Sequence, residues 1–157
     1  MLIKGLVDED FVNYKVPSMY VIMPFCSFKC DIESGTNICQ NSSLQNEPNI
    51  SVGSKELIDR YDSNDISRAI VFGGLEPFDS EEDLHTFIML FREKHFDPIV
   101  IYTGFTEEEV KEKFNWIFMY ENITVKFGRF IPNQEGHFDQ VLGVRLASPN
   151  QYAKKIS

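Results

Sequence analysis

Short apolar runs alternate with longer amphipathic segments along this chain. Four of the runs have the length and the β-branched and aromatic composition of buried strands; they are Ser18–Met23, 69–72, Ile99–Tyr102 and Ile123–Phe127. An amphipathic segment precedes each of the last three. Because strands that alternate with helices form parallel sheets with right-handed crossovers, the pattern predicts an α/β fold.

The amphipathic segments predict three helices. Ser54 is the expected N-cap of the first, Ser80 begins the second, and Thr106 with Glu109 has the spacing of a capping box at the start of the third. The apolar residues of each helix recur at intervals of three and four and therefore share one face. In chain order they are Leu57, Ile58 and Tyr61; Leu84, Phe87, Ile88 and Phe91; and Val110, Phe114 and Ile117.

The remaining segments have less regular patterns. Residues 2–15 are expected to form a small hairpin at the sheet edge, and residues 141–144 form either a further strand or a loop that covers the core. No repeat, low-complexity tract or long linker divides the chain. We therefore expect a single domain over residues 1–157, large enough to bury about 70% of its unfolded surface.

Composition narrows the compartment and the partners. The net charge is -9 and no basic stripe is present, which argues against nucleic acid as a partner. The longest apolar runs are far shorter than the roughly 20 residues of a membrane helix. The N-terminal residues are partly acidic and lack the cleavage site of a signal peptide. These features predict a cytoplasmic protein that does not enter a membrane.

Four unusual sequences follow the four predicted strands. They are the loop that holds the cysteines, Gly-Gly-Leu-Glu-Pro at 73–77, Tyr-Thr-Gly at 102–104 and Gly-Arg-Phe at 128–130. Ligands of parallel α/β folds gather at the carboxyl ends of the strands, where such loops converge. The order of the chain alone therefore predicts that these four sequences share one pocket.

The chain has three cysteines, Cys26, Cys30 and Cys39, all in the loop after the first strand. An odd number argues against a disulfide framework, and thiolates are soft ligands for zinc or an iron–sulfur cluster. Zinc is the weaker interpretation, because structural zinc takes four ligands and the three histidines are scattered. Ordinary buried cysteines are the alternative, but the loop is polar. A [4Fe–4S] cluster with three cysteine ligands would keep one iron open for a substrate.

This cysteine spacing resembles that of the radical S-adenosylmethionine superfamily, whose motif is most often C-x3-C-x2-C. Cys26 and Cys30 fit it, whereas eight residues instead of two precede Cys39, as an insertion of six would produce. The sequence at 73–77 is similar to the superfamily's GGEP element with one leucine inserted. Glycines at a strand end let backbone carbonyls approach an ammonium group, and a carboxylate can hold that group in place.

Within the superfamily the chain resembles the activating proteins of anaerobic ribonucleotide reductase. These share the Tyr-Thr-Gly element after the third strand, a Gly-Arg-Phe element, and Ser-x-Asn-Gln, here Ser148 to Gln151. The resemblance covers most of residues 17–152. Phe127 stands where those proteins carry an acidic residue, and their glycine-rich N-terminal opening is not evident.

The resemblance implies a partial (β/α) barrel of parallel strands flanked by helices, with a [4Fe–4S] cluster and S-adenosyl-L-methionine as cofactors. It also implies reductive cleavage of that cofactor to a 5′-deoxyadenosyl radical, with an external reductant such as a flavodoxin. A glycyl radical would then form on the large subunit of an anaerobic ribonucleotide reductase. The implied cluster ligands are Cys26, Cys30 and Cys39, and the expected cofactor-binding residues are Gly73, Gly74, Glu76, Tyr102, Thr103 and Asn41.

Several interpretations stay open at this stage. Lys126 and Arg129 are expected to be solvated surface charges, with contact to the cofactor carboxylate or an acidic partner as the alternative. Asn150 and Gln151 either bind cofactor or fix the C-terminal segment, and Asn41 is equally compatible with a simple turn. A radical enzyme that acts on another protein or a small molecule is the nearest rival function. A non-catalytic iron–sulfur or zinc module is the rival of a different class.

Overall fold

The computed structural model describes all 157 residues. It contains ten strands and four α-helices. In chain order they are β1 (Leu2–Ile3), β2 (Gly5–Asp10), β3 (Ser18–Met23), α1 (Lys29–Ser34), β4 (Ile50–Ser51), α2 (Ser54–Asp62), β5 (Ile70–Gly74), α3 (Glu81–Arg92), β6 (Ile99–Tyr102), α4 (Glu107–Lys113), β7 (Ile123–Phe127), β8 (His137–Asp139), β9 (Val144–Leu146) and β10 (Tyr152–Lys155). Short 3-10 helices lie at Ser42–Asn46, Pro77–Ser80 and Asn115–Met119.

The centre of the fold is a six-stranded mixed sheet in the order β10-β7-β6-β5-β3-β2. The four strands predicted from the sequence are its four middle strands, and neighbours among them are parallel. The edge strands β2 and β10 run antiparallel to them. The α/β prediction is thus confirmed as a mixed, mostly parallel sheet flanked by helices, whereas the partial barrel stays a prediction.

The main core lies between this sheet and α2, α3 and α4. The predicted apolar faces supply it, since Leu84, Phe87, Ile88 and Phe91 are all fully buried against strand residues such as Phe72. Removing these side chains from water is the main favourable term for folding. The helices therefore cover one face of the sheet and leave its carboxyl edge to the loops.

The helix boundaries correct several details of the prediction. Gly53 is the N-cap of α2 and Ser54 is its first helical residue, so Ser54 caps nothing. Ser80 is the N-cap of α3 but makes no capping hydrogen bond. The capping box at the start of α4 is confirmed. However, α4 ends at Lys113, and Phe114 and Ile117 reach the core from the turn that follows it.

The two irregular segments are also placed. Residues 2–15 form no hairpin of their own, because β2 pairs with β3 and β1 pairs with β4. Residues 141–144 belong to the turn and first residue of a hairpin in which β8 pairs with β9. Leu142 in that turn is fully buried, so the segment covers the core as the second of the two alternatives proposed.

The hairpin β8–β9 lies on the sheet face opposite the helices. Leu142 and Leu146 form a second apolar cluster there with Val71 and Val100 of the central strands. Gly143 has a positive φ of 74°, and a Cβ atom at this position would lie 2.7 Å from the Cβ of Lys15. The hairpin therefore contacts the bend between β2 and β3 at this glycine.

No helix of this structure combines the length and the apolar composition that crossing a bilayer would require.

Edge strand β10 is tied to α4 by the carboxylate of Glu107. Lys111 and Lys154 lie 2.7 and 2.8 Å from its Oε1, and the Tyr152 hydroxyl donates to Oε2 at 2.9 Å. These partners lower the pKa of Glu107 from about 4.5 to about 2. A carboxyl whose pKa falls on folding stabilises the protein above its unfolded pKa, and that contribution disappears as the pH falls towards the folded pKa.

We therefore expect Glu107→Gln to lower the free energy of unfolding by roughly 1 kcal/mol at pH 7, because the pairs are ionic and partly solvated. The difference between the two proteins should shrink between pH 4.5 and pH 2, where the native carboxylate takes up its proton. Urea unfolding of both proteins at several pH values measures this difference in the free energy of unfolding. A difference that is constant across this range would contradict the assignment.

Candidate functional site

The loops after β3, β5, β6 and β7 meet around one cavity of about 320 Å³. The strand register starts these loops at the same height of the sheet. Met23 pairs with Gly74, and Tyr102 pairs with Lys126, at the ends of neighbouring strands. The residues predicted from the sequence that line this cavity are Cys26, Cys30, Cys39, Asn41, Gly74, Glu76, Tyr102 and Thr103. Gly73 is further back, where Tyr20 and Tyr102 pack against it.

All three cysteines are free thiols of intermediate exposure. The Phe28 backbone N–H donates to the sulfur of Cys26 at 3.2 Å, and the Asn41 backbone N–H donates to that of Cys39. Burial raises the pKa of Cys26 to about 12 and also raises that of Cys39. The thiols of Cys26 and Cys39 therefore hold their protons at neutral pH, and binding of a metal would release these protons.

Asn41 joins the cysteine loop to the glycine pair. Its side-chain amide donates to the carbonyl oxygen of Gly74 at 2.8 Å. Gly74 has φ of 85°, and a Cβ atom there would lie 2.5 Å from Cγ2 of Ile22. Both the left-handed backbone and the contact with β3 therefore require glycine at this position.

Glu76 joins the end of β5 to the end of β6. Its carboxylate is buried and accepts hydrogen bonds from the Thr103 hydroxyl at 2.7 Å, the Gly104 backbone N–H at 2.8 Å and the Phe78 backbone N–H at 3.1 Å. Burial raises the pKa of Glu76 to about 7 although these donors oppose the shift. The Glu-Pro and Tyr-Thr-Gly elements therefore form one hydrogen-bonded unit beside the cysteines.

Comparisons with known proteins identify the family of this chain. A family model described as 4Fe-4S single cluster domain matches residues 18–148, which include the three cysteines and all four strand ends. The chain belongs to this family. No curated protein and no solved structure matches the chain.

The residues of this iron–sulfur domain fit such a cluster. Iron–sulfur clusters are held by cysteine thiolates, and a four-iron cluster takes one ligand at each iron. Three free thiols line the cavity, and no set of three His, Cys, Asp or Glu side chains converges closely enough to hold a single metal ion. As ligands of a four-iron cluster, Cys26, Cys30 and Cys39 would each bind a different iron.

Lys126 of the iron–sulfur domain is buried, so its expectation as a solvated surface charge is wrong. It is 8% exposed, and every other residue of β7 is buried as well. Its ammonium donates to the carbonyl oxygens of Gly128 at 3.1 Å and Thr103 at 3.4 Å. Burial lowers the pKa of Lys126 to about 8, and its side chain lines the cysteine cavity.

Arg129 is not a solvated charge either. Its guanidinium donates to both carboxylate oxygens of Glu109 at 3.0 Å, and its Nε lies 3.2 Å from Glu33 in α1. These carboxylates raise the pKa of Arg129. Two acidic side chains therefore neutralise Arg129, in contrast to Lys126.

The segment from Ser148 to Gln151 supports the turn after β7. The side-chain amide of Gln151 donates to the carbonyl oxygen of Gly128 at 3.2 Å, and that of Asn150 donates to the carbonyl oxygen of Arg129 at 2.8 Å. Of the two roles proposed for this segment, the contacts are those of a positioning element. Gln151 also lines the cysteine cavity.

Some residues of the cavity have no signal in the sequence. Asn13 reaches it from the bend between β2 and β3, Tyr20 from β3, and residues 145–147 from β9 and the residue after it. A larger cavity of about 620 Å³ lies beside Cys30, between α1, the start of α4 and residues 127–132. Cys30 thus lines both spaces.

Proposed function

We propose that this iron–sulfur domain is a radical S-adenosylmethionine enzyme. Cys26, Cys30 and Cys39 would hold the cluster, which would supply one electron, taken from an external reductant such as a flavodoxin, to the sulfonium of S-adenosylmethionine. Cleavage of the carbon–sulfur bond would then give methionine and a 5′-deoxyadenosyl radical. That radical takes a hydrogen atom from the substrate, so that 5′-deoxyadenosine and a substrate radical are the products.

The observation that carries this proposal is the cavity itself. The sequence has three cysteines. The cavity that they line lies at the carboxyl ends of four parallel strands. A fourth cysteine ligand is absent from the sequence, so one iron of a four-iron cluster keeps a position for a substrate. The four middle strands are also those of the expected partial barrel.

Two charged groups of the cavity suit the methionyl end of the cofactor. Lys126 has three N–H donors and uses two of them on backbone carbonyls, which leaves one for a carboxylate. An ionised carboxylate has about four acceptor positions, and Glu76 uses three. The fourth position of Glu76 is then available for an ammonium. The proposed cofactor contacts also include Asn41, Gly74, Tyr102 and Thr103.

The proposed substrate is a glycine of an anaerobic ribonucleotide reductase large subunit, which would acquire a glycyl radical. The support is the resemblance of the Tyr-Thr-Gly, Gly-Arg-Phe and Ser-x-Asn-Gln elements, all of which lie beside the cavity. The second cavity next to Cys30 offers space for an inserted loop of a partner. Neither nucleic acid nor membrane is part of this proposal.

Anaerobic reconstitution tests the proposed function. We expect about four irons and four sulfides per chain. With dithionite and S-adenosylmethionine the protein should release 5′-deoxyadenosine and methionine in equal amounts, measured by chromatography. An intact cluster that does not cleave S-adenosylmethionine would indicate a non-catalytic binding module. A colourless zinc protein would contradict the enzymatic proposal. Cleavage without a glycyl radical signal on the reductase would favour a different protein or small-molecule substrate.

A further inference from the structure

The inserted residues between Cys30 and Cys39 pose a positional problem. Eight residues separate these two cysteines, and the last of them must return to the same cavity as the other two. The insertion begins within α1, which includes Cys30, has six residues and buries none of them. A helix this short is not stable alone, and apolar packing does not hold this one. Polar contacts must therefore fix the loop.

One of these contacts acts directly on the third cysteine. A single carboxylate oxygen, Oδ1 of Asp31, accepts the backbone N–H groups of Ile38 at 2.7 Å and Cys39 at 2.9 Å. Holding two successive N–H groups fixes the peptide plane before Cys39 and hence the direction of its Cα–Cβ bond. Asp31 itself follows Cys30 immediately, so this contact closes the insertion on itself.

The turn within the insertion is arranged for this closure. Gly35 ends α1 with φ of 71°, where its N–H donates to the carbonyl oxygen of Ile32. The hydroxyl of Ser34 donates to the carbonyl oxygen of Thr36 at 2.8 Å. The chain thereby reverses direction between Asp31 and Cys39.

We infer that Asp31 is the positioning residue that holds Cys39 at the cluster across the six-residue insertion. It acts as a hydrogen-bond acceptor, because its contacts with the residues at Cys39 are two accepted backbone N–H groups. An asparagine oxygen would serve the same purpose. The inference rests on the iron–sulfur assignment and is independent of whether S-adenosylmethionine is cleaved.

The test compares four anaerobically reconstituted proteins: the wild type, Asp31→Ala, Asp31→Asn and Glu33→Ala. Glu33→Ala is the matched control, since it removes from the same helix a carboxylate that contacts Arg129 and not the backbone at Cys39. The measurements are iron and sulfide per chain, the rate of iron loss to a chelator, and the electron paramagnetic resonance spectrum of the reduced cluster. Thermal unfolding checks that the fold is unchanged, as expected for a helix that buries no residue.

We expect Asp31→Ala to lose iron about 10- to 100-fold faster than the wild type, the usual cost of removing a group that orients a metal ligand. Asp31→Asn should stay within about twofold of the wild type because the acceptor oxygen remains, and Glu33→Ala should match the wild type. Wild-type iron retention in Asp31→Ala would overturn the inference. Equal loss in Asp31→Asn, or in Glu33→Ala, would overturn it too. A stable wild-type cluster that does not cleave S-adenosylmethionine would overturn only the proposed function.

Discussion

Cys39→Ala is expected to abolish the stable cluster as completely as Cys26→Ala does. The chain has no fourth cysteine that could replace the lost ligand, and two thiolates are too few to retain four irons. Both cysteines line the same cavity as Cys30, so loss of either sulfur removes a ligand from the same site. Iron and sulfide analysis after anaerobic reconstitution should show near-total loss in both variants.

The matched control is Ser42→Ala, three residues further along the same loop. Ser42 is exposed and its side chain forms no hydrogen bond in the structure, so its replacement should leave the iron content unchanged. If Cys39→Ala kept a full cluster, the third ligand would lie elsewhere. The insertion after Cys30 would then have no part in the site.

Glu76→Ala is expected to lower the free energy of unfolding by about 3 kcal/mol, since each buried donor left without an acceptor costs about 1–3 kcal/mol and water recovers part of that. The three donors are the Thr103 hydroxyl and the N–H groups of Gly104 and Phe78. Because these donors come from the loops after β5 and β6, the variant should also bind S-adenosylmethionine more weakly. Urea unfolding and equilibrium binding to the reconstituted protein measure the two effects.

Glu76→Gln separates the two roles of this side chain. Its oxygen can still accept from Thr103 and Phe78, while its amide group opposes the Gly104 N–H. Its stability should therefore lie between those of the wild type and Glu76→Ala, whereas its affinity for the cofactor ammonium should fall as far as that of Glu76→Ala. A Glu76→Ala protein as stable as the wild type would show that the hydrogen-bonded unit at the strand ends does not support the fold.

The central strands and the apolar faces of the helices follow from the sequence because burial imposes a period on it. Ser18–Met23, Ile99–Tyr102 and Ile123–Phe127 have the same bounds in the structure as in the prediction. The helix ends were less predictable. Phe114 continues the apolar period of α4, but the helix stops before it, and the chain keeps that residue in the core through a tighter turn.

The candidate site was predictable where it follows strand ends and unpredictable where tertiary burial decides. The pocket shared by the cysteines, Gly74 and Glu76 needed only the order of strands and loops. A lysine near the end of a strand usually reaches water, so the sequence predicts a solvated Lys126, and this prediction is wrong. Here the hairpin β8–β9 and Gln151 cover the face that it occupies, and nothing local in the sequence of β7 indicates this cover.

The cysteine cavity takes part of its wall from residues 145–147 and from Gln151, which are far from the cysteines along the chain. The ribosome makes the cysteines first and these covering residues much later. A nascent chain therefore lacks this part of the cavity wall until residues 145–151 have been made. The full wall of the cysteine cavity accordingly exists only after the segment that follows β7 has been synthesised.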